Sequence, residues 1–266
     1  MTATGTGLRR TTGGLFLAGA VTFAAAATVL SSTFDWPDIL REPGSVVLPA
    51  FAAGGTSLVW TWFFTAWTYA ILAVPILLLP AVLRRRNDPA LRAATYLGAT
   101  SVVLSLVGFL RWVFVVPPLA HAYVTGDGTT RAAVDAAWTA QHQFGGALLG
   151  EHLGQLLIIG WSVTLSVIIL RTRVLPRWLG VAGLVVSALY LTNQGDILAT
   201  AVPGFPVWDL GGLIGSTTWR LWVAALGVVV LLRPVAAARA GDHAGSVSGV
   251  ADVPTPRSAA ATCARS

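Results

Sequence analysis

Ionisable and amide side chains occur inside four long apolar segments, where lipid is a poor solvent for them. A charged side chain at mid-bilayer costs about 2.5 to 3.5 kcal/mol on insertion scales, so such residues face protein or water. By depth, all of them fall in the outer half of their segments. The predicted ligand-binding residues are Arg111, Glu151, His152, Gln155, Asn193, Asp196 and Arg220.

The two acids and two arginines of this set lie at similar depth, so they could form ion pairs in several ways. One of them pairs Arg111 with Glu151 and Arg220 with Asp196. Such pairs could serve only to set the register between helices, since buried ion pairs often add little net stability. Alternatively, the same residues form a polar pocket that opens to the outside. In that case Glu151, His152 and Asp196 are the candidate catalytic residues, because a carboxylic acid in an apolar pocket suits general acid catalysis.

The fourth apolar segment has one small and polar face at helical spacing, formed by Ala147, Glu151, Gly154 and Gln155. Glycine also recurs every four residues, at Gly146, Gly150 and Gly154, which permits close approach of a neighbouring helix. Asn193 and Asp196 share a face of the next segment, as Thr217 and Arg220 do in the last. We therefore predict that these polar faces converge.

Metal and cofactor chemistry has little support in the sequence. His121, His142 and His152 could in principle join Glu151 around a metal ion, but their spacing matches no known ligand pattern. Phosphate-binding glycine loops, nucleophile elbows and dinucleotide fingerprints are also absent from the sequence. We predict no metal and no cofactor, and the chemistry of soluble enzymes is excluded.

The elements that carry these residues are predicted from composition. The chain has 266 residues, 55% of them hydrophobic and only 11% charged, whereas soluble domains carry about 25% charged residues. Each apolar segment reaches the roughly 20 residues that a bilayer requires. This predicts an all-α polytopic transmembrane helical bundle, residues 1–235, with six spans near 13–34, 55–83, 93–116, 144–170, 179–201 and 213–232.

The sequence contains no lysine, so arginine carries its permanent positive charges. The distribution of arginine predicts how the spans are oriented in the membrane. The arginines near the spans lie on alternate sides of consecutive spans, which places them and both termini in the cytoplasm. The outer loops hold only Arg41 and Arg131, together with several acids. The net charge of +6 therefore reflects membrane topology, and nucleic acid is not a predicted partner. The cytoplasmic arginines are Arg9, Arg10, Arg84, Arg85, Arg86, Arg92, Arg171, Arg173, Arg177, Arg233 and Arg239.

The two ends of the chain need separate interpretation. Residues 236–266 are rich in Ala, Gly, Ser, Thr and Pro and are predicted to be a disordered cytoplasmic tail. Near the start, Arg9 and Arg10 precede an apolar stretch and the small residues 24–27, which also resembles a cleavable signal peptide. Cleavage would leave five spans, and N-terminal sequencing would distinguish the two alternatives.

Tryptophan is concentrated toward the predicted outer side, with Trp178 alone at the inner boundary. These rings either anchor the protein in the interface or line an external vestibule suited to an apolar or flat ligand. The outer tryptophans are Trp36, Trp60, Trp62, Trp67, Trp138, Trp208, Trp219 and Trp222.

Five short motifs resemble those of an uncharacterised family of bacterial multi-pass membrane proteins, classed as a domain of unknown function. They are residues 35–40 (DWPDIL), 110–112 (LRW), 150–154 (GEHLG), 176–180 (PRWLG) and the pair Trp219 and Trp222 (WxxW). The resemblance covers about residues 10–235 and implies a membrane location without an activity. The Glu-His pair is typical of that family, which implies a role for Glu151 and His152.

Three functions remain open from the sequence. The first is binding or transport of a small, apolar or amphipathic molecule from outside the bacterial cytoplasmic membrane, although no inverted repeat supports transport. The second is an intramembrane enzyme acting on an isoprenoid or lipid, with Glu151 or Asp196 as general acid. The third is a structural or regulatory membrane subunit. The lipid bilayer is the one certain partner, and the oligomeric state is left open.

Overall fold

The computed structural model describes residues 3–232, and no strand occurs among them. The predicted tail, 236–266, lies outside the described residues. A 3-10 helix, Asp38–Arg41, follows the first helix, and a π-helix, His142–Leu153, lies between α6 and α7. The α-helices are α1 Ala3–Phe34, α2 Gly44–Ala70, α3 Ala73–Val82, α4 Pro89–Phe114, α5 Val116–Thr125, α6 Gly128–Gln141, α7 Gly154–Thr172, α8 Arg177–Leu191, α9 Gln194–Ala199 and α10 Gly211–Leu232.

Six helical stretches are long and apolar enough to cross a bilayer, which confirms the predicted all-α bundle of about six spans. They run over Gly5–Phe34, Gly44–Val82, Pro89–Thr125, Gly128–Thr172, Arg177–Ala199 and Gly211–Leu232. Which side of the membrane the termini face stays a prediction from the arginine distribution.

Three of these stretches are much longer than a bilayer requires, because residues outside the predicted spans are helical. Gly44–Val82 has 39 residues and Pro89–Thr125 has 37. The stretch Gly128–Thr172 has 45 residues, or about 67 Å at the α-helical rise, against a hydrocarbon thickness of about 30 Å. Its first part, α6, is polar, and its start is capped by Asp127, whose side chain accepts a hydrogen bond from the backbone N–H of Thr130 at 2.8 Å. The helices α5 and α6 contact each other, and they add helical length that the hydrocarbon region does not require.

Glycine determines how closely two pairs of helices approach. A Cβ atom at Gly150 would lie 2.8 Å from the Cα of Gly108 in α4, and one at Gly13 would lie 2.8 Å from the carbonyl oxygen of Gly227 in α10. The hydroxyl of Ser101 donates to the carbonyl of Gly154 at 2.6 Å across the first of these contacts. The close approach predicted from the repeated glycines is confirmed, and the neighbour is α4.

Two apolar clusters fill the bundle, one toward each end. The first cluster lies toward the end where α3 and α7 terminate and includes Trp161, which contacts the rings of Phe16 and Trp222. The other cluster contains Trp62 and Trp112, which stack with ring centroids 4.8 Å apart and planes 6° from parallel. Trp138 meets Trp112 edge to face at 5.6 Å. Such aromatic pairs have well-defined geometry, so this cluster gives a rigid support for the adjoining polar end of the bundle.

Candidate functional site

Arg41 lies at the centre of the polar end of the bundle and contacts two carboxylates. Its Nη2 donates to Glu151 Oε2 at 2.8 Å and to Asp196 Oδ2 at 2.7 Å, and its Nε donates to the same Asp196 oxygen at 2.9 Å. The three side chains come from the 3-10 helix, the π-helix and α9, which are far apart in the sequence. We call these three residues the Arg41 triad.

The Arg41 triad is partly shielded from water. The exposed fraction of the side chain is 26% for Arg41, 17% for Glu151 and 35% for Asp196. Burial lowers the pKa of the Arg41 guanidinium, but Glu151 and Asp196 together raise it by more, so the pKa is raised overall. Arg41 is therefore a permanent positive charge at this end of the bundle.

The pairing of Arg111 with Glu151 and of Arg220 with Asp196 does not occur in the described structure, because Arg41 binds both acids. The predicted spans place Arg41 in an outer loop, and it is not among the predicted site residues. Its neighbours Ile39 and Leu40 are buried, however, so the first loop folds back onto the bundle. The apolar pair Ile39 and Leu40 next to Arg41 is the one signal in the sequence that could have predicted this contact between the first loop and the bundle.

Four further polar side chains form a network beside the Arg41 triad. His152 Nδ1 lies 2.6 Å from Gln194 Oε1, so Nδ1 carries the ring proton and donates it. The Gln194 side-chain amide donates to Gln155 Oε1 at 2.9 Å, and that of Asn193 donates to the same oxygen at 3.0 Å. The structure thus brings His152, Gln155 and Asn193 together as predicted, and adds Gln194.

Arg111 is buried, with 6% of its surface exposed, and its partners are unexpected. Its Nη2 lies 3.4 Å from His142 Nδ1, and its guanidinium carbon lies 5.3 Å from the ring centroid of Trp112, a cation-π distance. Gly146 leaves the space that the guanidinium occupies, since a Cβ there would overlap it. No carboxylate within residues 3–232 forms an ion pair with Arg111.

Arg220 is not brought into the cluster. It donates to the carbonyl of Ser216 at 3.2 Å and to the hydroxyl of Thr217 at 3.1 Å on its own helix. Its guanidinium carbon lies 5.8 Å from the ring centroid of Phe23 in α1. Arg220 therefore belongs to the packing of α1 against α10 rather than to the polar end.

An open cleft of about 740 Å³ adjoins the Arg41 triad. This volume lies within the roughly 300 to 1,000 Å³ of typical ligand sites. Gln143 and Thr200 exchange two hydrogen bonds of 3.3 Å on one wall. The polar and aromatic lining residues are Arg41, Glu42, Ser45, Asp135, Trp138, Thr139, His142, Gln143, Asp196 and Thr200. We call this space the triad cleft.

Most of the lining of the triad cleft was missed as a site from sequence. Asp135, Trp138 and His142 follow one another at intervals of three and four residues, which places them on one helix face. That helical spacing is the signal in the sequence, but residues 117–143 fall between the predicted spans 93–116 and 144–170, and no helix is predicted there. Asp196 is the one predicted site residue that lines the cleft directly.

The π-helix explains why helix-face reasoning was incomplete here. It carries Glu151 and His152 and runs for 12 residues. Because a π-helix has more residues per turn than an α-helix, α-helical spacing does not place its side chains correctly.

The histidines do not assemble a metal site in the part of the chain that the structure describes. No group of three or more His, Cys, Asp or Glu side chains there has a metal-binding arrangement. His142 contacts Arg111, whereas His152 contacts Gln194.

Six bilayer-length helices with ionisable groups held together at one end define a multi-pass integral membrane protein. The chain belongs to the family described as a domain of unknown function, DUF4386, whose model matches residues 11–227. The resemblance predicted from the five motifs is confirmed. Neither a curated protein nor a solved structure matches the chain.

Proposed function

We propose that the protein binds a small amphipathic molecule in the triad cleft, on the outer side of the bacterial cytoplasmic membrane. The observation that carries this proposal is that an open cleft reaches an ionic centre assembled from three separate elements. Arg41 and Asp196 belong to both the cleft and the centre, so a bound molecule would contact the residues that hold the 3-10 helix against α9.

The depth of the triad cleft suits an amphipathic ligand. Glu151 and Arg171 are 20 positions apart on one helix, which corresponds to about 30 Å, the thickness of the hydrocarbon region. Since the arginine-rich end marks one boundary, Glu151 lies close to the other. A molecule in the cleft could therefore keep its apolar part near lipid and its polar part among the charges.

The charges of the triad cleft favour a ligand with a positively charged end. Arg41 is the cation of the cleft, and it is already bound by two carboxylates. Glu42 and Asp135 also line the cleft and form no ion pair within residues 3–232. Carboxylates therefore outnumber cations, and the buried Trp138 supplies an aromatic wall.

The test compares two probes of similar size and opposite charge, 2-phenylethylammonium and 3-phenylpropanoate, by calorimetric titration of the protein in nanodiscs. We expect the ammonium to bind at least about tenfold more tightly, since one charge-assisted contact contributes roughly 1.5 to 3 kcal/mol. Asp135→Asn should weaken that binding several-fold, while Asp209→Asn, which removes an acid outside the lining, should not. Equal binding of the two probes, or no binding of either, would contradict the proposal.

One observation favours an enzyme as a second candidate. Glu151 Oε2 is engaged by Arg41, but Oε1 is buried and has no hydrogen-bond partner in the described residues. An unsatisfied buried polar atom costs roughly 1 to 3 kcal/mol, a cost that active sites tolerate. If Glu151 is a general acid acting on an isoprenoid or lipid, Glu151→Gln should abolish conversion by the membrane fraction without weakening ammonium binding more than Asp196→Asn does. Unchanged products would remove this candidate.

A further inference from the structure

A second cleft lies at the other end of the bundle, where α3 ends and α4 begins. It measures about 990 Å³, and its charged lining comes from the turn of residues 84–88. Val174, which follows α7, forms part of the opposite wall. We call this space the arginine cleft, and we propose that it binds the phosphate of an anionic phospholipid headgroup.

Uncompensated positive charge is the first argument. Arg84, Arg85 and Arg86 all line the arginine cleft. Arg85 Nη1 reaches Asp88 Oδ2 at 3.4 Å, a long contact, while Arg84 and Arg86 are exposed and form no ion pair within the described residues. Asp88 is also engaged elsewhere, since its Oδ1 accepts hydrogen bonds from the backbone N–H groups of Ala90 and Leu91. With three arginines and one aspartate in its lining, the cleft carries an excess of two positive charges.

Backbone conformation is the second argument. Arg84 has φ = 57° and Arg173 has φ = 54°, both in the left-handed region, and each lies where a helix ends. Glycine is the usual residue at such positions, because any side chain is strained there. Attraction between arginine and helix C-termini accounts for basic residues in these turns. That attraction does not explain why arginine occupies the two positions with positive φ, Arg84 and Arg173. Nor does it explain the arginine cleft beside them.

The apolar part of the arginine cleft distinguishes a lipid from a free anion. Ala81, Leu83, Pro89 and Val174 complete the lining beside the arginines. Trp178 is exposed at the start of α8, at the same end of the bundle, and tryptophan typically marks headgroup depth. A phosphate held by the arginines would thus have its glycerol and first methylene groups against an apolar wall, which inorganic phosphate cannot use.

The test is native mass spectrometry of the full chain released from detergent with added phosphatidylglycerol or phosphatidylcholine of identical acyl chains. The double variant Arg84→Gln/Arg86→Gln should retain phosphatidylglycerol at least about tenfold less than the wild type, given about fivefold for each arginine near a membrane surface. Phosphatidylcholine retention should not change. The matched control Arg92→Gln/Arg177→Gln removes two exposed arginines of the same end that do not line the cleft, and it should change retention less than about twofold.

Three results would overturn the proposal. One is an equal loss of phosphatidylglycerol in both double variants, which would show that the lipid is attracted to the basic surface in general and not to the arginine cleft. Another is displacement of the lipid by 10 mM inorganic phosphate, which means a site for the free anion. The third is full retention in Val174→Glu, a variant that adds an acid to the cleft and is informative even where the arginine variant does not fold. None of these residues belongs to the triad cleft, so the outcome is independent of the proposed function.

Discussion

Arg41 is the residue on which the polar end of the bundle depends, because two carboxylates from different helices share it. Removing the guanidinium would leave Glu151 and Asp196 close together with no cation between them, in a place where water screens them only in part. Arg220, by contrast, finds its partners on its own helix and on an aromatic ring. The two arginines therefore have different consequences for folding.

We expect Arg41→Gln to lower the stability of the folded protein by about 1 to 3 kcal/mol, the cost of leaving partly buried groups without a partner. Thermal unfolding in detergent measures this loss of stability. Arg131→Gln is the control, since Arg131 is the other arginine between the predicted spans at this end, lies in α6 and is exposed. The double variant Arg41→Gln/Asp196→Asn should recover part of the loss. Equal melting temperatures for Arg41→Gln and Arg131→Gln would show that the triad contributes nothing to stability.

Among the elements, the π-helix is the one that joins packing to the site. Its glycines allow α4 to approach, while its acidic and basic residues, Glu151 and His152, contact the first loop and α9. Because both sets of contacts lie on one segment, a change in the spacing between α4 and the π-helix would move Glu151 relative to Arg41. The position of the Glu151 carboxylate and the packing of α4 are therefore linked through the π-helix.

Gly150→Ala should destabilise the bundle by about 1 to 3 kcal/mol, because overpacking forces backbone to move. The atom that a new Cβ would meet is the Cα of Gly108, 2.8 Å away, which cannot rotate aside. Gly14→Ala is the matched control, since a Cβ there would meet nothing within 4 Å on α1. It should leave the melting temperature unchanged or raise it slightly. A smaller effect for Gly150→Ala than for Gly14→Ala would contradict the close approach.

For the whole molecule, the two clefts lie at opposite ends and differ in charge. The triad cleft is rich in carboxylates, and the arginine cleft is rich in cations. The distribution of arginine predicts that the first faces outward and the second faces the cytoplasm. This polarity is the property of the molecule that the proposed ligands require, an amphipathic cation outside and an anionic lipid inside.

Labelling with a membrane-impermeant maleimide tests this orientation. Ser45→Cys and Thr139→Cys, both in the lining of the triad cleft, should react in intact spheroplasts. Arg86→Cys and the native Cys263, which lies outside the described residues, should react only after permeabilisation. Cys263→Ser is the background for the three introduced cysteines. Labelling of Arg86→Cys in sealed spheroplasts would contradict the predicted topology and place this end of the bundle outside.

How far the site could be predicted from sequence is clear from single residues. The sequence predicts Glu151 and Asp196 as site residues because a carboxylate in an apolar segment is unfavourable unless it has a polar partner, and in the structure both contact a cation. It predicts His152, Gln155 and Asn193 because they too are polar groups in apolar segments, and the structure places these three in one hydrogen-bond network. Arg41 was missed because a loop arginine has no such local contradiction, and nothing near it in the sequence specifies which helix the loop covers.

The sequence by itself determined the six membrane-spanning helices and the family, because lipid selects for the length and polarity of each segment independently of the others. Tertiary structure alone decided which cation the acids bind, that residues 128–141 extend a span as a helix, and where the clefts open. These are relations between segments that are distant in sequence. They follow from packing geometry, in particular from the glycine contacts and the π-helix, which no single segment encodes.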